Sequence, residues 1–140
     1  MSRNPKLLYI GFGLVVLLWA LNLIALNFYL YWTVGWYDIM MHFLGGMTIG
    51  VLVIWFLKLE EKSLKSFLIV FTYVMIIGST YEIFEYINDL TFSTQKYPID
   101  TVVDLTMDAL GVVSAYWWAT SPFRSHDHLA VPPPSDRILS

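Results

Sequence analysis

The sequence predicts an all-α fold: a polytopic membrane protein whose four transmembrane helices form a bundle with both termini cytoplasmic. Three observations carry that prediction. The 140 residues are 57% hydrophobic and only 14% charged, against roughly 45–50% and about 25% in soluble domains, so the apolar excess has to face lipid. Four apolar runs divide the chain, each near the ~20 residues that a helix needs to cross a bilayer. Lysine and arginine gather on alternate connections, the pattern that keeps basic loops on the cytoplasmic side.

The first span covers about 7–31, because no charged side chain occurs between Leu7 and Tyr31. Arg3 and Lys6 precede it as they would a signal peptide. A signal core is only roughly 7–15 residues long, however, and no small-residue cleavage site follows Ala20 or Ala25, which makes this an uncleaved anchor. The second span, 39–57, is interrupted only by His42 and closes at Lys58, before a short connection with Glu60, Glu61, Lys62 and Lys65. The third, 64–87, is uncharged from Ser66 to Tyr81 and then carries Glu82 and Glu85. A polar loop over 88–97 leads to Pro98, which a helix tolerates in its first turn, and the fourth span takes 100–120 with Asp104 and Asp108 inside it. The helical domain is therefore 1–120. Residues 121–140, with Pro132, Pro133 and Pro134 and no apolar period, read as a disordered cytoplasmic tail, where His126 and His128 are solvated and have no role.

Orientation follows from the basic residues. Arg3, Lys6, Lys58, Lys62, Lys65, Arg124 and Arg137 lie on one alternating set of segments and only Lys96 on the other, a split of seven to one. Both termini and the middle connection belong inside, and the segments around Trp36 and Tyr97 outside, in a cell's inner (cytoplasmic) membrane. Tyr29, Tyr31, Trp32, Trp36 and Tyr37 form an outer aromatic belt, and Trp117 and Trp118 an inner one. Small residues four apart, Gly46 with Gly50 and Gly111 with Ala115, mark faces where helices approach closely, and the Gly46/Gly50 face is also a seam for a second copy. Asn22 and Asn27 are expected to hydrogen-bond to neighbouring helices.

Composition also excludes. Without cysteine there is no disulfide, thiolate metal site, iron–sulfur cluster or cysteine nucleophile. A net charge of -3 with no extended basic run argues against nucleic acid as a partner.

The chemistry gathers in acids. Of the 11 acidic residues, seven fall at the outer side: Asp38, Glu82, Glu85, Asp89, Asp100, Asp104 and Asp108. Asp38 and His42 are four apart and share a helix face, as do Glu82 and Glu85 at three apart. Asp100, Asp104 and Asp108 form a stripe that descends about 12 Å at 1.5 Å per residue. Each acid near the middle of a span costs up to about 2.5–3.5 kcal/mol against lipid, so these side chains turn inward. Converging carboxylates repel, and either shared protons or a bound cation must compensate. One imidazole among carboxylates suits zinc, manganese or iron, while carboxylates and water suit magnesium. The Glu-x-x-Glu spacing lacks the Glu-x-x-His partners of di-iron bundles.

The segments Tyr37-Asp38-Ile39-Met40-Met41-His42-Phe43-Leu44-Gly45-Gly46, Tyr81-Glu82-Ile83-Phe84-Glu85-Tyr86 and Asp100 to Gly111 resemble those of the small bacterial membrane proteins called YjdF-like. More distantly they resemble VanZ-like proteins, in which an Asp and a His similarly precede one helix and an Asp precedes a Gly in another. The resemblance spans roughly 36–116. It implies that Asp38, His42, Glu82, Glu85, Asp104 and Asp108 are a shared polar set, and it implies no reaction, since the family largely lacks an assigned activity. Glu85 and Tyr86 stand where a VanZ-like Glu and Gln pattern is expected, so that family's association with glycopeptide resistance does not carry over.

The sequence thus points to a divalent metal cation held by His42, Glu82, Glu85, Asp104 and Asp108, with Asp38 and His42 as catalytic residues and membrane lipids or a lipid-linked headgroup as substrate. In that scheme Asp38 orients His42 or acts as a base, and Asp108 completes the coordination from below. Two other classes remain open on the sequence: a cation- or proton-conducting subunit using the Asp100, Asp104, Asp108 stripe, and a non-catalytic membrane partner whose polar residues only clamp helices together.

Overall fold

A computed structural model describes residues 4–59, 62–88 and 97–121, and those residues are helical apart from short connections. Helix α1 is Pro5–Phe28, opened by Asn4, whose side chain accepts a hydrogen bond from the Lys6 backbone N–H, with Pro5 at the first helical position, where its missing donor costs nothing. It ends earlier than the uncharged run. Tyr29 takes a left-handed conformation (φ 56°) and returns its N–H to the carbonyl of Ala25, so Tyr31 belongs to a separate single turn, α2, Leu30–Thr33. Helix α3, Tyr37–Leu57, begins ahead of the apolar run and so takes Asp38 into its first turn, where the helix dipole favours a carboxylate. Lys58 caps it in the left-handed region. Helix α4, Leu64–Ile87, is opened by Ser63, and α5 is Tyr97–Ala119. The loop expected over 88–97, but for its two end residues, and the tail expected over 121–140, but for Ser121, lie outside the described residues; Lys96 and Asp89 are among those outside.

Three helices, α1, α3 and α4, are long and apolar enough to cross a membrane. Helix α5 is as long, but Asp100, Asp104 and Asp108 crowd its first half. Packing is also less even than a symmetrical bundle of four. Helices α3, α4 and α5 form a three-helix core, with α5 packed most extensively on α3, while α1 lies mainly along α3 and buries only Leu7, Gly11 and Ala25.

Glycine sets the closest crossing. A Cβ on Gly46 would stand 2.7 Å from the Cα of Asp108, and one on Gly111 2.7 Å from the Met47 nitrogen, so α3 and α5 meet backbone to backbone. Gly50 packs against Val112 and Ala115 of the same α5. The Gly46/Gly50 face expected as a seam between copies is therefore filled inside the single chain, because α5 brings the matching small residues Gly111 and Ala115. The matched positions place α3 and α5 parallel, with α4 antiparallel to both, so the start of α3, the end of α4 and the start of α5 share one end of the core.

The opposite end is apolar: Leu7, Val51, Ile54, Val70, Val74, Val112, Ala115, Tyr116 and Ala119 form one buried cluster. Tyr116 closes it. Its hydroxyl donates to the Ser63 carbonyl (2.7 Å) and accepts from the Ser63 N–H (2.9 Å), pinning the start of α4 to the end of α5, with the Phe67 ring packed against it at 5.3 Å.

Two expectations about polar residues change. Tyr37 is buried, with its hydroxyl on the Leu21 carbonyl of α1, and so does not join the exposed aromatic group of Tyr29, Trp32 and Trp36. Asn27 bonds to Leu23 of its own helix. Asn22 accepts from the Tyr31 hydroxyl at 2.9 Å, across to the connecting turn instead of to another long helix.

Candidate functional site

The shared polar end is built from three helical faces. The i, i+4 spacing on α3 aims Asp38 and His42 the same way, Glu82 and Glu85 lie three apart on α4, and Asp104 and Asp108 lie four apart on α5. Parallel and antiparallel packing brings these pairs to one depth. Five of the six side chains are buried: His42, Glu82, Glu85, Asp104 and Asp108; Asp38 is part-exposed.

His42 is the centre of the arrangement. Its Nε2 faces Asp38 Oδ1 at 3.9 Å and Glu82 Oε1 at 3.8 Å, while Nδ1 faces Asp108 Oδ2 at 3.6 Å. All three separations are too long for direct hydrogen bonds. Donor atoms of Asp38, His42 and Asp104 lie within 4.8 Å of one another, and so do those of His42, Glu82 and Glu85. A cation at about 2.0–2.2 Å from each donor holds its donors roughly 3–4 Å apart, so either set is near the dimensions of a coordination shell. Asp108, expected among the ligands, belongs to neither set; it approaches the ring nitrogen opposite to the one that Asp38 and Glu82 face. Its depth in the core is the reason, since its backbone is locked against Gly46 and its carboxylate fills the space beside Gly78. Asp100 is part-exposed near the start of α5 and does not join the two sets.

The charge balance is one-sided. Asp38, Glu82, Glu85, Asp104 and Asp108 bring carboxylates, and among the described residues the lysines are Lys6, Lys58, Lys62 and Lys65, at helix ends on the other side of the core.

A cavity of about 340 Å³ opens beside His42. It runs between α1 and α4 over the face of α3. Asp38, His42 and Asp108 lie at its polar part with Asn22, Tyr31 and Tyr81, and Leu18, Trp19, Ile49 and Ile77 line the rest. The Tyr81 ring stands 5.9 Å from that of His42 at 66°. The sequence placed Tyr31 only in the outer aromatic belt and Tyr81 only in a resemblance segment, assigned neither to the site, and gave Gly78 no part. Tyr81 had a signal, because it is four residues before Glu85 and one before Glu82 on the same helix end; Gly78 and Tyr31 had none, since only packing brings them here.

A family model described as "Predicted membrane protein (DUF2238)" matches residues 4–125. That description names no activity and neither the YjdF-like nor the VanZ-like proteins. No curated protein and no solved structure matches the chain.

Proposed function

We propose that this chain, which belongs to the DUF2238 family of predicted membrane proteins, is a four-span protein of the cytoplasmic membrane that holds a divalent cation at its outward end and acts there on a lipid or lipid-linked headgroup. The orientation, with both termini cytoplasmic, rests on the seven-to-one distribution of basic residues.

The observation that carries the reading is the convergence on His42 of carboxylates from three helices, spaced beyond hydrogen bonding and near the dimensions of a coordination shell. Removing like charges from water is costly unless something positive joins them, and a divalent ion does so with one particle. His42 Nε2, Glu82 and Glu85 hold it, with Asp104 on the other flank. Asp108 serves as the positioning residue: its carboxylate stands 3.6 Å from Nδ1, and drawing in to hydrogen-bond distance when the ion binds fixes the ring so that Nε2 presents its lone pair, as carboxylate partners of metal-bound histidines do. The orienting role expected for Asp38 thus passes to Asp108, which leaves the ligand set. Asp38, part-exposed on the cavity side, meets the headgroup. A bound divalent ion supplies polarisation of a phosphoryl oxygen or activation of a water.

The conducting alternative is less well supported, because the seam continues below Asp108 through Val74, Val112, Ala115 and Val70, all fully buried, and gives the polar region no polar continuation toward the other end.

Elemental analysis of detergent-purified protein incubated in turn with zinc, manganese, iron and magnesium tests the cation. The expected result is roughly one ion per chain in the wild type, lost in His42→Ala and in Glu82→Gln. A helical, monodisperse wild type that retains none of the four overturns the reading.

A further inference from the structure

We propose that the cleft between α1 and α4 admits an ammonium-bearing lipid headgroup sideways from the bilayer, with the amine on Asp38 and the hydrocarbon chain left outside along Trp19 and Ile77. The inference rests on the reading of this end as a lipid-facing site, and it narrows the substrate from lipid headgroups in general to those that carry a free amine.

Size comes first. At about 30 Å³ per water-sized group, 340 Å³ holds about a dozen non-hydrogen atoms, enough for a headgroup and too little for acyl chains. The chains of any lipid bound here have to remain in the membrane, so the cleft must open laterally. Its rim agrees, because Trp19 on α1 and Ile77 and Tyr81 on α4 line the cavity and are also among the exposed hydrophobic residues.

Charge then selects the headgroup. Five carboxylates surround one imidazole, and among the described residues no lysine or arginine lies at this end. A wall of that composition disfavours a purely anionic headgroup and favours a cation. Asp38 is the acid that both lines the cavity and keeps some exposure, so an ammonium reaches it without being sealed from the mouth. Aromatic walls add to this: Trp19, Tyr31 and Tyr81 line the same space, and ring faces attract ammonium groups within about 6 Å. A primary ammonium brings three donors, which the Asp38 carboxylate and the Tyr31 and Tyr81 oxygens can accept.

The test uses the full chain reconstituted in vesicles of chain-brominated phosphatidylethanolamine or chain-brominated phosphatidylglycerol. Quenching attributed to Trp19 is the difference between wild type and Trp19→Phe, a change at an exposed position. We expect about fivefold preferential quenching by the amine lipid, falling to near parity in Asp38→Asn. Equal quenching by the two lipids in the wild type, or stronger quenching by phosphatidylglycerol, overturns the proposal, and neither result depends on the Asp38 variant folding. Preference that survives in a folded Asp38→Asn overturns the assignment of the amine to Asp38. Metal content measured on the same preparations separates the two readings: an ion without amine preference defeats this inference alone, and amine preference without an ion defeats the cation alone.

Discussion

The two ends of the three-helix core use the same faces of the same helices for opposite chemistry. On α4 the buried positions run Ser66, Val70, Val74, Gly78, Glu82 and Glu85, one stripe that changes from apolar to acidic at Gly78. On α5, Asp104 and Asp108 give way one turn later to Gly111, Val112 and Ala115. The apolar end needs no partner beyond contact, since in lipid helices associate through close packing and hydrogen bonds. The polar end contains groups that repel one another. Its geometry is therefore imposed from outside, by the glycine crossing and the apolar cluster about two turns away, and its charge has to be offset by shared protons or by a counter-ion. A frame that would pack without the acids holds them in place, which is how binding sites store unfavourable interactions.

The largest expected effect removes that common frame. Gly46→Leu places a side chain where the Asp108 backbone lies, and should cost about 3 kcal/mol or more by overpacking, seen as loss of folded protein in a detergent-denaturation titration and of any bound ion together. Retained stability would mean that the ends are held independently.

Two substitutions then separate the ends by their dependence on the cation. Asp104→Asn relieves repulsion in chelator but forfeits stabilisation by the ion, a loss of up to about 2.7 kcal/mol at a hundredfold excess over Kd. Ile54→Ala, at a fully buried position of the apolar cluster, should lower stability by about 2 kcal/mol with and without the ion alike. Unfolding titrations in chelator and in saturating metal check both. Identical losses in the two conditions for Asp104→Asn would show that the polar end is held by packing as the other end is.

The smallest effect sharpens the picture of the apolar end. Tyr116→Phe removes both hydrogen bonds to Ser63 and keeps the ring against Phe67, so it should cost about 1 kcal/mol, measured by the same titration, and leave metal content unchanged. A change in metal content would show that the two ends communicate.

Sequence by itself determined what is local to each helix. Apolar run length marks α1, α3 and α4 as helices that can cross a membrane, and the spacings of Asp38 with His42, Glu82 with Glu85, and Asp104 with Asp108 place each pair on one face, because a helix of 3.6 residues per turn fixes those relations by itself. Tertiary structure decided everything that depends on one helix's rotation and depth against another: that Asp108 reaches Nδ1 while Asp38 and Glu82 face Nε2, that Gly46 and Gly50 meet α5 of the same chain, that Tyr37 turns inward to Leu21, and that α1 stands off α4 across a cavity. These outcomes come from contacts between residues distant in sequence. Among apolar helices in lipid many rotations bury similar surface, and close backbone approach at a few small residues selects one of them.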